Sequence, residues 1–168
     1  HLEEVYQKLT QREHILKRPD SYIGSVITSK QPMWVYDETS KAMKYKEVNY
    51  NPGLIKIFDE ILVNAIDNKQ RCPEMTTIKV TVDRAANSIT IINDGDGIPV
   101  AIHPEYNMYI PSLIFGQLLS GTNFDDSAKK VTGGRNGFGA KLTNIYSTEF
   151  KVETVANQKR FVQVFRNH

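Results

Sequence analysis

Cysteine is nearly missing from this sequence. Cys72 stands alone among 168 residues, so no disulfide can form within the chain. That excludes the disulfide-stapled secreted scaffolds and fits a reducing intracellular compartment. An excess of charge of one sign is missing too: 21 lysines and arginines face 19 aspartates and glutamates, for a net charge of +2. Nucleic-acid-binding domains usually concentrate basic charge, so any DNA contact is expected through other domains of a longer protein. No apolar run approaches the ~20 residues a membrane helix needs, and no charged-then-apolar leader opens the chain, so no membrane partner is expected. Repeats and low-complexity tracts are absent. The chain opens on His1 and not on methionine, so it is expected to be part of a longer or processed polypeptide. What is present suits one folded domain: 40% hydrophobic and 24% charged residues, too apolar for a disordered segment.

Local patterns place the elements. Residues Leu2 to Leu16 are polar with scattered apolar positions and read as an extended arm running into a short helix, which Pro19 ends. Met33 to Tyr36 and Met43 to Tyr50 are rich in aromatic and β-branched residues around a polar turn, a hairpin pattern. Pro52 and Gly53 then punctuate the chain before a long helix from about Leu54 to Lys69. Ile78 to Val82 and Ile89 to Ile92 alternate as strands. A shorter helix is expected over Ser112 to Leu119, and another over Ala140 to Tyr146. Phe150 to Val155 and Arg160 to Phe165 close the chain as strands. Between Ser120 and Gly139 runs a stretch rich in Gly, Asn, Asp, Ser and Thr, and loops of that length usually carry function or are disordered. Short turns between adjacent strands argue for a two-layer α/β sandwich with a mainly antiparallel mixed sheet, not a doubly wound parallel one.

The long helix carries one stripe with chemical content. At ~100° per residue, Leu54, Phe58, Ile61, Leu62 and Ala65 form an apolar face. Glu60, Asn64 and Asn68 recur every fourth residue along its flank, with Asp67 nearby. A solvated polar edge has the same look. The functional reading is a half-buried rim. There an amide oxygen of Asn64 would complete a Mg²⁺ shell shared with waters and phosphates, and Glu60 would take a proton from an attacking water.

Two loops carry glycines. Asn93-Asp-Gly-Asp-Gly-Ile-Pro follows a strand. It reads either as an ordinary turn or as a ligand turn. In the second case Asp94 accepts an exocyclic amine such as that of adenine, and Gly95 and Gly97 allow close backbone approach. Thr132-Gly-Gly-Arg-Asn-Gly-Phe-Gly-Ala-Lys-Leu leads into a helix. It is neither a Walker A loop nor a dinucleotide fingerprint, since the Lys-Ser/Thr pair and the third glycine are lacking. It reads as a mobile glycine hinge or as a phosphate loop whose exposed N–H groups are joined by the cations of Arg135 and Lys141.

Together these pieces resemble the ATPase fold shared by DNA gyrase, the ninety-kilodalton heat-shock chaperones, histidine kinases and MutL, the Bergerat ATP-binding fold. Within it, four segments look like the N-terminal ATPase domain of eukaryotic type II DNA topoisomerases. They are Arg18-Pro-Asp-Ser-Tyr-Ile-Gly-Ser, Ile57-Phe-Asp-Glu-Ile-Leu-Val-Asn-Ala-Ile-Asp-Asn-Lys-Gln-Arg, Ile114-Phe-Gly-Gln-Leu-Leu and Lys130-Val-Thr-Gly-Gly-Arg-Asn-Gly-Phe-Gly-Ala-Lys-Leu. The likeness runs through essentially the whole chain in the family's order.

The resemblance implies ATP and Mg²⁺ as cofactors and assigns roles by position. Glu60 looks like the general base, Asn64 the Mg²⁺ ligand and Asn68 a phosphate-side contact. Asp94, with Gly97 and Ile98, looks like the adenine turn. Gly121, Thr122 and Asn123 match ribose and phosphate contacts. Gly134, Arg135, Asn136, Gly137, Phe138, Gly139, Ala140 and Lys141 match the loop around the triphosphate. Tyr6 matches an arm residue that reaches the partner subunit's nucleotide. Residues 1–18 would then be the arm and short helix, and 19–168 an ATP-binding domain truncated at its C-terminal end. The family continues with further strands, one bearing a threonine near adenine, and with a transducer domain that supplies a lysine to the γ-phosphate. Two positions depart from the family: Asp96 stands where relatives often have Lys or Arg, and Phe138 where a tyrosine is frequent.

The implied activity is an ATPase gate that closes a homodimer for double-strand DNA passage, in the nucleus or, alternatively, in a mitochondrion or kinetoplast. Rival readings are a bacterial gyrase or topoisomerase IV subunit, a histidine kinase, and a nucleotide-gated dimerisation module without turnover.

Overall fold

The computed structural model of the chain describes residues 9–118 and 139–168. The expected N-terminal arm before residue 9, and the glycine-rich stretch up to Phe138, lie outside the described residues.

Helix α1 spans Gln11–Lys17 and is fixed at its start by a capping box. The Thr10 hydroxyl accepts from the Glu13 N–H, while the Glu13 carboxylate accepts from the Thr10 N–H. A 3₁₀ turn over Pro19–Ser21 follows, with the proline in its first position, where the missing N–H costs nothing. Strands β1, Ser29–Asp37, and β2, Ala42–Tyr50, form an antiparallel hairpin that pairs Trp34 with Tyr45. Its turn is held by Asp37, whose carboxylate accepts from the Ser40 hydroxyl at 2.6 Å and pairs with Lys44 at 3.0 Å.

Helix α2 runs over Pro52–Arg71. Asn51 caps it by accepting from the Leu54 N–H at 3.0 Å, and the same side chain donates to the Val26 carbonyl at 2.9 Å. Gly53 is buried where the first turn meets the Ser25–Val26 backbone, and a Cβ there would crowd Val26 and the Ser25 carbonyl. This contact corrects one detail of the expected apolar face. Ala65 is buried and Phe58, Ile61 and Leu62 are half-buried, but Leu54 is 54% exposed. Gly53, not Leu54, makes the inward contact of the first turn.

Strands β3, Ile78–Asp83, and β4, Ser88–Asn93, form a second antiparallel hairpin. A short pair that the sequence pattern did not suggest follows: β5, Ile102–His103, and β6, Met108–Tyr109. Helix α3 spans Ile110–Gly116, starting earlier than the pattern indicated because Pro111 fits its first turn. Helix α4 spans Gly139–Ile145. Strands β7, Glu149–Ala156, and β8, Lys159–Arg166, close the chain as a hairpin. Its two-residue loop places Asn157 and Gln158 at φ of 52° and 62°, the left-handed geometry of the turn that matches strand twist. Every strand pairing among the described residues is antiparallel, in four two-stranded ladders.

The helices knit the core. Ile15, Ile23, Leu142 and Ile145 form a buried cluster, with Leu16, Tyr22, Ile57, Leu118 and Tyr146 packed on it. Polar ties fix the register: the Tyr146 hydroxyl donates to the Ile15 carbonyl, the Thr143 hydroxyl to the Ile57 carbonyl and the Asn144 amide to the Phe115 carbonyl. A Phe115–Phe150–Phe165 chain of ring contacts joins α3 to the β7–β8 hairpin. α4 is thereby locked against α2, which decides what faces the polar stripe.

Candidate functional site

Glu60, Asn64 and Asn68 are all half-buried, on the rim between the buried and exposed sides of α2. The Glu60 carboxylate pairs with Lys56 one turn earlier, Nζ to Oε1 at 3.0 Å, and this raises the Lys56 pKa. Its other oxygen sits against Gly139, the first residue of α4. A Cβ at Gly139 would collide with Glu60 Oε2, so glycine is what admits the carboxylate there. The acidic end of the stripe therefore meets the exit of the glycine loop. Asn64 lies one turn on, and its side-chain amide makes no hydrogen bond among the described residues. No group of three or more His, Cys, Asp and Glu residues among those described forms a metal cage. A free amide oxygen beside a carboxylate suits Mg²⁺ that keeps waters and shares phosphate oxygens, and would not suit an ion held by protein alone.

Lys141, in the first turn of α4, is 4% exposed. Burial pushes its pKa down, and no carboxylate pairs with it among the described residues. A buried ammonium without a counter-charge is costly, so an anion brought beside this position would be stabilising. Ala140 beside it is buried and packs in the core.

The Asn93–Ile98 turn is built differently. Asn68 donates from Nδ2 to Asn93 Oδ1 at 3.0 Å and to the Asp96 carbonyl at 3.2 Å, and Gly95 N–H donates to the same Asn93 oxygen. The donor atom of Asn68 is thus engaged by the turn, and its first task is to tie α2 to it. The expected phosphate-side contact would need that donor released.

Asp94 is exposed, and not enclosed in a buried pocket. It stands at the open end of the β3–β4 hairpin. Oδ1 accepts from the N–H groups of Thr76 and Thr77, both at 2.9 Å, and Oδ2 accepts from the Thr76 hydroxyl at 2.5 Å. These bonds, the hydroxyl first, hold its carboxyl below the usual carboxylate range.

Gly95 and Gly97 also serve the protein itself. A Cβ on Gly95 would strike Asn68 and Met75, and one on Gly97 would strike the Val155 carbonyl and the Thr154 hydroxyl. The buried Thr154 hydroxyl accepts from the Ile98 N–H at 2.9 Å, which clamps the turn to β7. Thr76, Thr77, Asn93 and Thr154 were missed by sequence reasoning. Thr154 had a signal, being a hydroxyl on the inward face of β7 between Val152 and Ala156; the others carried none. Tyr6, Gly121, Thr122, Asn123, Gly134, Arg135, Asn136, Gly137 and Phe138 lie outside the described residues.

The family model described as "Histidine kinase-, DNA gyrase B-, and HSP90-like ATPase" matches residues 49–165, which include both glycine-bearing loops and the whole of α2. The chain belongs to this ATPase family. Within it, the chain is 62% identical to DNA topoisomerase 2 of Candida albicans over 151 residues, covering 90% of this chain and 10% of that protein. The solved ATPase region of Saccharomyces cerevisiae topoisomerase II is 55% identical, with a TM-score of 0.88, over 98% of this chain and 44% of that one. The gyrase B ATPase domain of Thermus thermophilus shares the fold alone, at 24% identity and a TM-score of 0.63. The contrast separates the eukaryotic likeness from the bacterial one. The chain spans about a tenth of the length of the curated relatives it matches.

Proposed function

We propose that the chain binds Mg-ATP and forms the nucleotide-hydrolysing gate of a type II DNA topoisomerase. The observation that carries this reading is the seating of the Glu60 carboxylate against Gly139, which brings the acid and amide stripe to the exit of the glycine loop. In this reading Glu60 takes a proton from the attacking water, and Lys56 holds the carboxylate until that water arrives. Asn64 supplies an oxygen to Mg²⁺, and the ion screens phosphate charge when bound. Lys141, with Arg135 and the loop residues Gly134–Ala140, meets the phosphates. Asp94 accepts the adenine amine, Gly97 and Ile98 complete that turn, and Gly121, Thr122 and Asn123 contact ribose and phosphate. Tyr6 reaches the partner subunit's nucleotide, so that nucleotide binding closes a homodimer. DNA is handled by other domains, in the nucleus.

The test uses a chain extended through the whole ATPase region. Glu60→Gln should lower phosphate release at least ~100-fold, the scale of general-base contributions, while ATP affinity changes little. Near-parent hydrolysis by this variant would remove Glu60 from the base role. Phosphate release, as opposed to phosphoprotein, also separates this reading from a histidine kinase. Residues 1–168 alone should turn over ATP negligibly, because the lysine that the topoisomerase resemblance implies at the γ-phosphate, where phosphoryl transfer needs charge, would come from a transducer domain.

A further inference from the structure

The carboxylate of Asp94 is held by more than its own turn. Oδ1 accepts two backbone N–H groups, from Thr76 and Thr77, and Oδ2 accepts the Thr76 hydroxyl. The Thr76 and Thr77 hydroxyl oxygens lie 3.3 Å apart. Thr76 can therefore accept from Thr77 while it donates to Asp94, a relay in which each bond polarises the next. A carboxylate offers roughly four acceptor directions. Three are filled here, two on Oδ1 and one on Oδ2, so the remaining direction belongs to Oδ2. The two oxygens are fixed by different means. Backbone donors on Oδ1 alone would leave the group free to rock about that oxygen, and the Thr76 hydroxyl stops the motion at Oδ2.

We propose that Thr76 is a positioning residue that sets purine specificity, holding Asp94 so that one lone pair of Oδ2 faces an exocyclic amine. The proposal rests on the reading of the Asn93–Ile98 turn as the adenine site. An amine at purine C6 donates to that lone pair. A carbonyl at C6, as in guanine, sets oxygen against oxygen and leaves a carboxylate facing an acceptor. Discrimination of this kind comes from a fixed polar group left unpaired by the wrong ligand, and a fixed carboxylate discriminates better than one that can turn away. Among the described residues the Thr76 hydroxyl touches Asp94 and Thr77 alone, so it acts through the aspartate.

Thr76 is exposed, and Thr76→Val keeps its branched shape while removing the hydroxyl, so folding should be retained. The experiment is calorimetric titration of ATP and GTP, each with Mg²⁺, into the parent chain, Thr76→Val, Thr76→Ser and Asp94→Ala. Thr76→Val should weaken ATP roughly three- to tenfold, the yield of one neutral hydrogen bond, and leave GTP within about twofold, so the ATP-to-GTP ratio falls. Thr76→Ser should restore the parent ratio, which a general loss of structure would not allow. If Asp94→Ala lowers the ratio and Thr76→Val does not, Asp94 reads the base unaided and the proposal fails while the adenine turn stands. If the parent binds neither nucleotide, or Asp94→Ala leaves the ratio at the parent value, the adenine reading fails and takes the proposal with it.

Discussion

The two halves of the candidate site are prepared in opposite ways. In the Asn93–Ile98 turn the Asn93 and Asp94 side chains and the Gly95 and Ile98 N–H groups already have protein partners. Asn68 reaches across from α2, Asp94 takes three donors, and Thr154 receives the Ile98 N–H. On the flank proposed to meet phosphate the groups are under-engaged. Among the described residues, Asn64 makes no side-chain hydrogen bond, Glu60 pairs with Lys56 alone, and Lys141 is buried with no carboxylate partner. A pre-built turn suits recognition of a rigid base. An unpaired flank suits ions and phosphates, whose charge replaces what the protein lacks.

Glycine substitutions break this comparison most sharply. Gly97→Ala drives a methyl into the Val155 backbone carbonyl, which cannot yield without moving β7. It should cost about 1–3 kcal/mol of stability, the range for overpacking, and should loosen the turn. Chemical denaturation measures it, and a parent-like midpoint would mean that the turn is not clamped. Gly139→Ala meets, among the described residues, first the carboxylate end of the Glu60 side chain, which can swing aside. Its stability should stay within about 0.5 kcal/mol of the parent, as for substitutions away from packed features, while hydrolysis by the complete ATPase region falls. Equal destabilisation by the two variants would erase the distinction between a packed turn and a yielding flank.

The smallest effect lies outside both halves. Asp37 is lowered from 3.8 to about 2 by the Ser40 hydroxyl, then by Lys44. A depressed folded pKa gives stability that is complete above the unfolded value and lost as pH falls through the folded one. The β1–β2 turn should therefore be indifferent to pH above about 4 and loosen only towards pH 2. Asp37→Asn should remove that dependence, which amide exchange of the Ser40 N–H would follow.

Much of this was legible in residues. The 3.6 period announced α2, and its i, i+4 spacing put Glu60, Asn64 and Asn68 on one edge, because both follow from helix geometry alone. The three longer hairpins were visible as alternating runs separated by turn residues. The β5–β6 pair was not, since two residues per strand leave no period to detect. The turn's partners were hidden for another reason. Thr76 lies 18 positions from its partner Asp94 and Thr154 lies 56 from its partner Ile98, and packing of the start of β3 and of β7 brings them to the turn. The glycines were recognised as important with an incomplete cause: Gly95 and Gly97 are crowded by protein atoms before any ligand arrives.

The Lys141 ammonium should have two effects of opposite sign. Burial with no carboxylate partner among the described residues makes its ammonium a liability in the nucleotide-free protein. The same charge should be an asset once phosphates are bound. Thermal melting of the parent and of Lys141→Met, each with and without Mg-ATP, reads both effects at once. The account predicts that Lys141→Met melts higher than the parent without nucleotide. It also predicts that Mg-ATP raises the parent's melting temperature, with about 2.7 kcal/mol gained at a hundredfold excess over Kd, and leaves the variant nearly unmoved. A variant that melts lower than the parent without nucleotide, or gains as much from Mg-ATP as the parent does, would contradict it.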